Sequence, residues 1–176
     1  ILIKSPGTNP DIPYIFNDAS TSIERLDNAI ASGDINNTMI GHMAGLVTTG
    51  IENTYVGFSA GKGTTGVDNY NTAVGSNAMF DITTGTSNVA IGSASLFNGT
   101  DAAYCVAVGR NAQYINITGD YNTSLGYESL YKNTAANNTG IGAEAGMWTT
   151  GADNTYLGFR AGKGAAGAEA GNVGVG

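Results

Sequence analysis

Charge, cysteine and long apolar runs are all scarce in this sequence, and each shortage removes a class of protein. Charged residues make up only 12% of the 176 positions, about half the usual share. The seven basic residues are scattered, so no clustered Lys/Arg patch of the kind that grips nucleic acid is present. A net charge of −7 and a pI near 4.3 point the same way. Apolar runs last only a few residues, so neither a membrane span nor a signal peptide is expected within these residues. Cys105 stands alone, which excludes an internal disulfide and says nothing of compartment. The three prolines, Pro6, Pro10 and Pro13, all fall near the start. The chain begins at Ile1 without Met and stops at Gly176 inside a motif, which reads as a piece of a longer protein.

What is abundant is glycine, with 27 residues, about twice the usual usage. Val, Ile, Thr and Tyr are also plentiful, so the chain is not of the disordered type. Much of its apolar 41% is alanine, too little bulk for one thick core and better suited to stacked thin coils.

A repeat emerges when the chain is aligned on each glycine that follows an aliphatic residue. These anchors are Gly41, Gly57, Gly75, Gly92, Gly109, Gly126, Gly142, Gly158 and Gly176, with steps of 16 to 18 residues. The residue before each anchor, position −1, is always aliphatic, from Ile40 to Val175. Position −3 is always β-branched, as Thr or Val. Position −4 is asparagine in eight of nine copies (Asn37, Asn53, Asn71, Asn88, Asn122, Asn138, Asn154 and Asn172), with Cys105 the exception. Position +3 is only Ala or Ser, and a Thr/Gly turn such as Thr83-Thr84-Gly85 follows.

Positions −3 and −1 share one face of a strand, and −2 points the other way. With a second short strand through +3, each coil of about 17 residues would hold two strands and two turns. The expectation is that the aliphatic −3/−1 face looks into the coil, opposite the small +3 residue. The recurrent Asn should stack as a ladder of amides satisfying turn backbone groups. A roll this thin still leaves a broad side uncovered, and self-association about a rotation axis would cover it. Three copies is the preferred number, although the residues themselves show only the need for a partner.

Residues 1–36 lack the motif and read as an N-terminal cap or connector, with 37–176 as the repeat domain. Thr21-Ser22-Ile23-Glu24 has the form of a capping box, and Ile23, Leu26 and Ile30 share a helical face, so a short helix over 22–31 is expected. Such an element would cover the open end of a solenoid.

Several motifs that suggest chemistry dissolve into the repeat. Gly61 to Gly66 and Gly162 to Gly167 both satisfy G-x-G-x-x-G, yet neither opens a helix inside a βαβ unit, and both occupy the same place in the repeat. His42 sits at the variable position +1, where its counterparts include Phe58, Ser76 and Arg110. Cys105 replaces a ladder Asn and is expected to pack as a small buried thiol. Glu52, Asp68, Asp120 and Asp153 read as solvated turn carboxylates, since a calcium site needs six or more convergent oxygens. Asn-x-Ser/Thr triplets (Asn98, Asn116, Asn122) follow from composition. No catalytic residue, cofactor or metal ligand is indicated. Asn53 to Gly66 and Asn154 to Gly167 are identical at ten of fourteen positions. Their aromatics, Tyr55 with Phe58 and Tyr156 with Phe159, are candidate ligand contacts; the competing reading makes them packing residues of wider coils.

Runs such as Asn71-Thr72-Ala73-Val74-Gly75 and Asn88-Val89-Ala90-Ile91-Gly92 resemble the head repeats of YadA-like trimeric autotransporter adhesins. They are more similar still to repeats of bacteriophage tail-fibre proteins, in which Asn-Thr-Ala-x-Gly units alternate with Thr-Thr-Gly turns. The likeness covers residues 37–176. It implies an all-β, left-handed parallel β-roll, trimerised along a hydrophobic axis and carried on a virion or a bacterial surface. The implied function is structural and adhesive, as a fibre segment that attaches to a host-surface glycan or protein. Two alternatives fit the residues less well. A hexapeptide-repeat enzyme needs an aliphatic residue every six positions, which this chain lacks. An ice-binding solenoid needs outward threonine, whereas Thr beside Val, Ile and Leu is expected to point inward.

Overall fold

The computed structural model describes residues 2–4, 13–15, 36–63, 67–164 and 170–176. Strand β1 (Leu2–Lys4) pairs antiparallel with β2 (Pro13–Ile15). The helix expected over 22–31 lies outside the described residues.

The repeat forms a β-solenoid. Its strands are β3 (Thr38–Ile40), β4 (Thr54–Val56), β5 (Thr72–Val74), β6 (Val89–Ile91), β7 (Val106–Val108), β8 (Thr123–Leu125), β9 (Thr139–Ile141), β10 (Thr155–Leu157) and β11 (Val173–Val175). They make one nine-stranded parallel sheet in chain order. The register is level: Thr38 lies over Thr54, Tyr55 over Ala73, and Leu157 over Val175. The described residues contain no helix. The wall opposite the strands is also bonded coil to coil, as in Met79 N–H to the Ser95 carbonyl at 2.9 Å. It reaches only isolated bridges, Asn98 to Ile115 to Lys132. Left-handed residues at +2 and +4, such as Ala94 (φ 54°) and Leu96 (φ 47°), interrupt any longer strand there.

The facing of the strands reverses the expectation. Position −2, not −3/−1, looks into the coil: Ala73, Ala90, Ala107 and Ser124 are wholly buried. Position −1 faces out, with Ile91, Leu125 and Leu157 42–49% exposed. The interior explains this. It is narrow, and position −2 carries the residues that vary in size to match what the opposite wall supplies. A uniform column of Val, Ile and Leu has no such freedom and lies outside.

The match is a volume exchange between the strand wall and position +4. Where −2 is large, +4 is glycine: a Cβ on Gly45 would stand 2.4 Å from Met39 Sδ, one on Gly61 2.5 Å from the Tyr55 ring, and one on Gly162 2.1 Å from the Tyr156 ring. Where −2 is Ala or Ser, +4 is a buried Met79, Leu96, Gln113 or Leu130. In the coil of Gly140 and Gly146 both positions are empty of side chain, and Leu130 and Tyr156 reach in from neighbouring coils.

Asparagine binds the coils through a chain of amides that is broken once, at Cys105. The Asn53 N–H donates to Asn37 Oδ1 at 2.7 Å, Asn71 to Asn53 at 2.8 Å, and Asn88 to Asn71 at 2.9 Å. The chain resumes from Asn138 to Asn122 and from Asn154 to Asn138. The amide NH₂ groups cap turn carbonyls, as Asn37 to Gly50 and Asn71 to Gly85, so backbone oxygens that would be buried and unpaired are satisfied. At the break, the Cys105 N–H still reaches Asn88 Oδ1. Its thiol contacts the Gly119 carbonyl at 3.2 Å, and Asn116 donates to that carbonyl at 2.8 Å in place of the missing amide. Burial pushes the Cys105 thiol up to about 11.

The anchor glycines stack on one another. Gly109, at φ 132°, is typical: an added Cβ would sit 2.4 Å from the Gly126 carbonyl oxygen of the next coil.

Candidate functional site: the outward strand face

The outward face is built by the repeat itself. Each strand contributes one Thr or Val at −3 and one aliphatic residue at −1, and level register stacks these into two columns. At about 4.8 Å per coil, nine strands extend the columns to about 40 Å. No charged residue occurs at −3 or −1 in any copy.

Exposed aromatics border the columns. Two residues before the strands, at −5, are Tyr70, Tyr104 and Tyr121, 52–59% exposed. All three have left-handed backbone, with φ of 57–58°. Tyr104 and Tyr121 stack with centroids 4.9 Å apart. Two residues after the strands, at +1, Phe58, Tyr127 and Phe159 are exposed. His42 stacks on Phe58 at 5.7 Å, and the Arg160 guanidinium lies over Phe159 at 4.7 Å. A hydrogen bond with Glu128, with lesser contributions from desolvation and that same charge, raises the Tyr127 phenol above its ordinary value. Beside this border, Arg160 and Lys163 both bond Glu144 and hold its carboxyl below the usual range.

Of the four candidate ligand contacts, only Phe58 and Phe159 are exposed; Tyr55 and Tyr156 lie in the interior. The anchor glycines Gly41, Gly57, Gly75, Gly92, Gly109, Gly126, Gly142 and Gly158 are half-buried framework stacked coil on coil, and the ladder asparagines from Asn37 to Asn154 are buried framework. Asp68 is not the solvated turn carboxylate expected from sequence. It is 1% exposed and accepts hydrogen bonds from Tyr55 Oη at 2.5 Å and from Thr48 Oγ1. Desolvation raises its pKa and, with the nearby Asp68 charge, raises that of Tyr55 well above its ordinary value. Glu52 and Asp153 are exposed and Asp120 is half-buried.

A column on the opposite wall escaped the sequence reading. At +5, Phe80, Phe97, Tyr114 and Tyr131 stack nearly parallel at 4.9–5.1 Å. Trp148 meets Tyr131 edge-on and Lys62 covers Phe80. The signal was present as an aromatic five residues after four successive anchors. The rings spend their faces on one another, so the column does not offer the open ring face that a sugar stacks upon.

No family model, curated protein or solved structure matches this chain.

Proposed function

We propose that this chain is a segment of an extracellular fibre, a stiff spacer that carries or forms a receptor-binding end, assembled as a homotrimer about an axis parallel to the coil stack. The observation that carries the reading is the uncharged Thr/Val and aliphatic face, which runs the length of the roll and points away from its interior. With its aromatic borders the face measures on the order of 40 by 20 Å, about 800 Å², near the area each partner gives to a stable interface. The likeness of the repeats favours a phage tail fibre acting in host attachment; the alternative is the head of a bacterial trimeric surface adhesin. The receptor would be a host-surface glycan or protein.

Light scattering of the purified chain is the direct test, and a monomer at micromolar concentration would end the reading. Ile91→Lys with Leu125→Lys, both on exposed positions, should dissociate the assembly while leaving the β-rich circular dichroism of the coils intact.

One observation supports a second reading. The regular threonines Thr38, Thr54, Thr72, Thr123, Thr139 and Thr155 lie on the outward face and not inward as expected, which is the arrangement an ice-binding solenoid needs. The exposed rings of Tyr104, Tyr121, Phe58 and Phe159 along both borders interrupt the flat threonine array that ice would need, which favours association. Thermal hysteresis from a monomeric preparation would reverse that preference.

A further inference from the structure

We propose that unlike borders of the strand face meet in the assembly: the −5 column of one copy packs against the +1 column of the next, with Tyr104 and Tyr121 set against Arg110 and Tyr127. The inference rests on the reading of the chain as a rotational homo-oligomer. About an axis parallel to the stack, every copy runs its strands in the same sense around the axis. The trailing end of each strand therefore faces the leading end of its neighbour's, a heterologous contact that closes into a ring.

The chemistry of the two borders fits this pairing. The −5 border carries Glu52 and Asp153 and no base, while the +1 border carries His42 and Arg110 and no acid; these stand in different coils, so the borders differ in sign without forming level ion pairs. Arg110 is exposed and has no ion-pair partner among the described residues. Tyr104 and Arg110 belong to one coil, Tyr121 and Tyr127 to the next, so level packing brings a guanidinium to the Tyr104 ring and one phenol ring to another. Pairing like borders would instead set Tyr104 and Tyr121 against tyrosines and leave Arg110 facing no ring or anion of the partner copy.

The test is a disulfide trap with Tyr121→Cys and Tyr127→Cys in one chain. These positions span six residues of nearly extended chain, about 20 Å, whereas a disulfide needs Cα atoms roughly 4.4–6.8 Å apart, so only an interchain bond can form. Mild oxidation of the double variant should give covalent oligomers on a non-reducing gel, and each single variant should stay uncrosslinked. The pair Tyr104→Cys with Arg110→Cys, one coil away, repeats the test if the first variant folds poorly. Dimers from Tyr121→Cys alone would show that like borders meet and overturn the proposal. So would an uncrosslinked double variant that light scattering shows to be oligomeric, with the fibre reading left standing. A monomeric unmodified chain would remove both.

Discussion

In the second coil, Tyr55 fills the interior from the strand wall and Gly61 stands opposite; two coils on, Leu96 fills it from the other wall and Ala90 stands opposite. Backbone register, Asn ladder and anchor glycine are common to both coils. The difference shows that the fold specifies a total volume per coil and leaves open which wall supplies it. Packing in such a cross-section is therefore a property of residue pairs at −2 and +4, and a single position read alone misleads.

The largest effect should come from emptying a Tyr coil. Tyr55→Ala deletes a wholly buried ring and should cost about 3–5 kcal/mol. It also takes one of the two side-chain hydroxyl donors from the buried Asp68 carboxyl. Denaturant midpoints at fixed m-value measure it. If the two walls contributed independently, a second substitution at Gly61 would only add damage. On the pairing account, Tyr55→Ala with Gly61→Leu recovers part of the loss, with a coupling of roughly 0.5–3 kcal/mol. Leucine tolerates the left-handed backbone of +4, as Leu96 and Leu130 already adopt it. A double variant as unstable as the sum of its singles would break the comparison.

How much of this was legible beforehand follows from the same pairs. The solenoid, its period and its parallel strands were readable because anchor glycine and Asn recur under strict backbone demands. A Cβ at Gly109 meets a carbonyl, and an Asn amide is the partner of a buried turn oxygen. The facing of the strands was not readable, because position −2 looked like noise. Met39, Tyr55, Ala73 and Gly140 share no property until each is set beside its +4 partner, six residues on. The uniform aliphatic column reads as core because uniform apolar columns usually are core. Here the uniform column lies on the outward face, with Ile91, Leu125 and Leu157 exposed. Asp68 is hard to place for a similar reason: a lone acid in a turn reads as solvated until the Tyr55 and Thr48 hydroxyls are seen to reach it.

The Tyr55 coil also differs from the narrow ones in its response to pH. Burial raises the pKa of Asp68 in the folded chain, so the native state holds this proton more tightly than the unfolded chain does. The contribution to stability is fully present below the unfolded value, near pH 4, and is lost as pH rises through the folded value. Thermal melts across that window should show Tm falling with pH, an effect smaller than that of ring removal. Asp68→Asn should flatten the slope and raise Tm at pH 7, with Tyr55 Oη still donating to the amide oxygen. A slope unchanged by Asp68→Asn would assign the dependence to other carboxylates. Substituting Ala90, in a coil without an interior acid, should leave the pH slope as it was.

The smallest effect separates interior from exterior packing within the narrow coils. Phe97 lies between Phe80 and Tyr114 at 4.9 Å on either side, and it is half-buried where Leu96 beside it is wholly buried. Each stacked aromatic pair contributes about 0.5–1.5 kcal/mol beyond its buried area, whereas Leu→Ala in a core costs about 2–5 kcal/mol. Phe97→Leu keeps apolar cover and removes both stacks, so its midpoint should move less than that of Leu96→Ala. The order is the informative quantity. If Phe97→Leu were the more damaging, the outer aromatic column rather than the exchange between −2 and +4 would set the stability of the narrow coils, and the two kinds of coil would differ in where they are held rather than in which wall fills them.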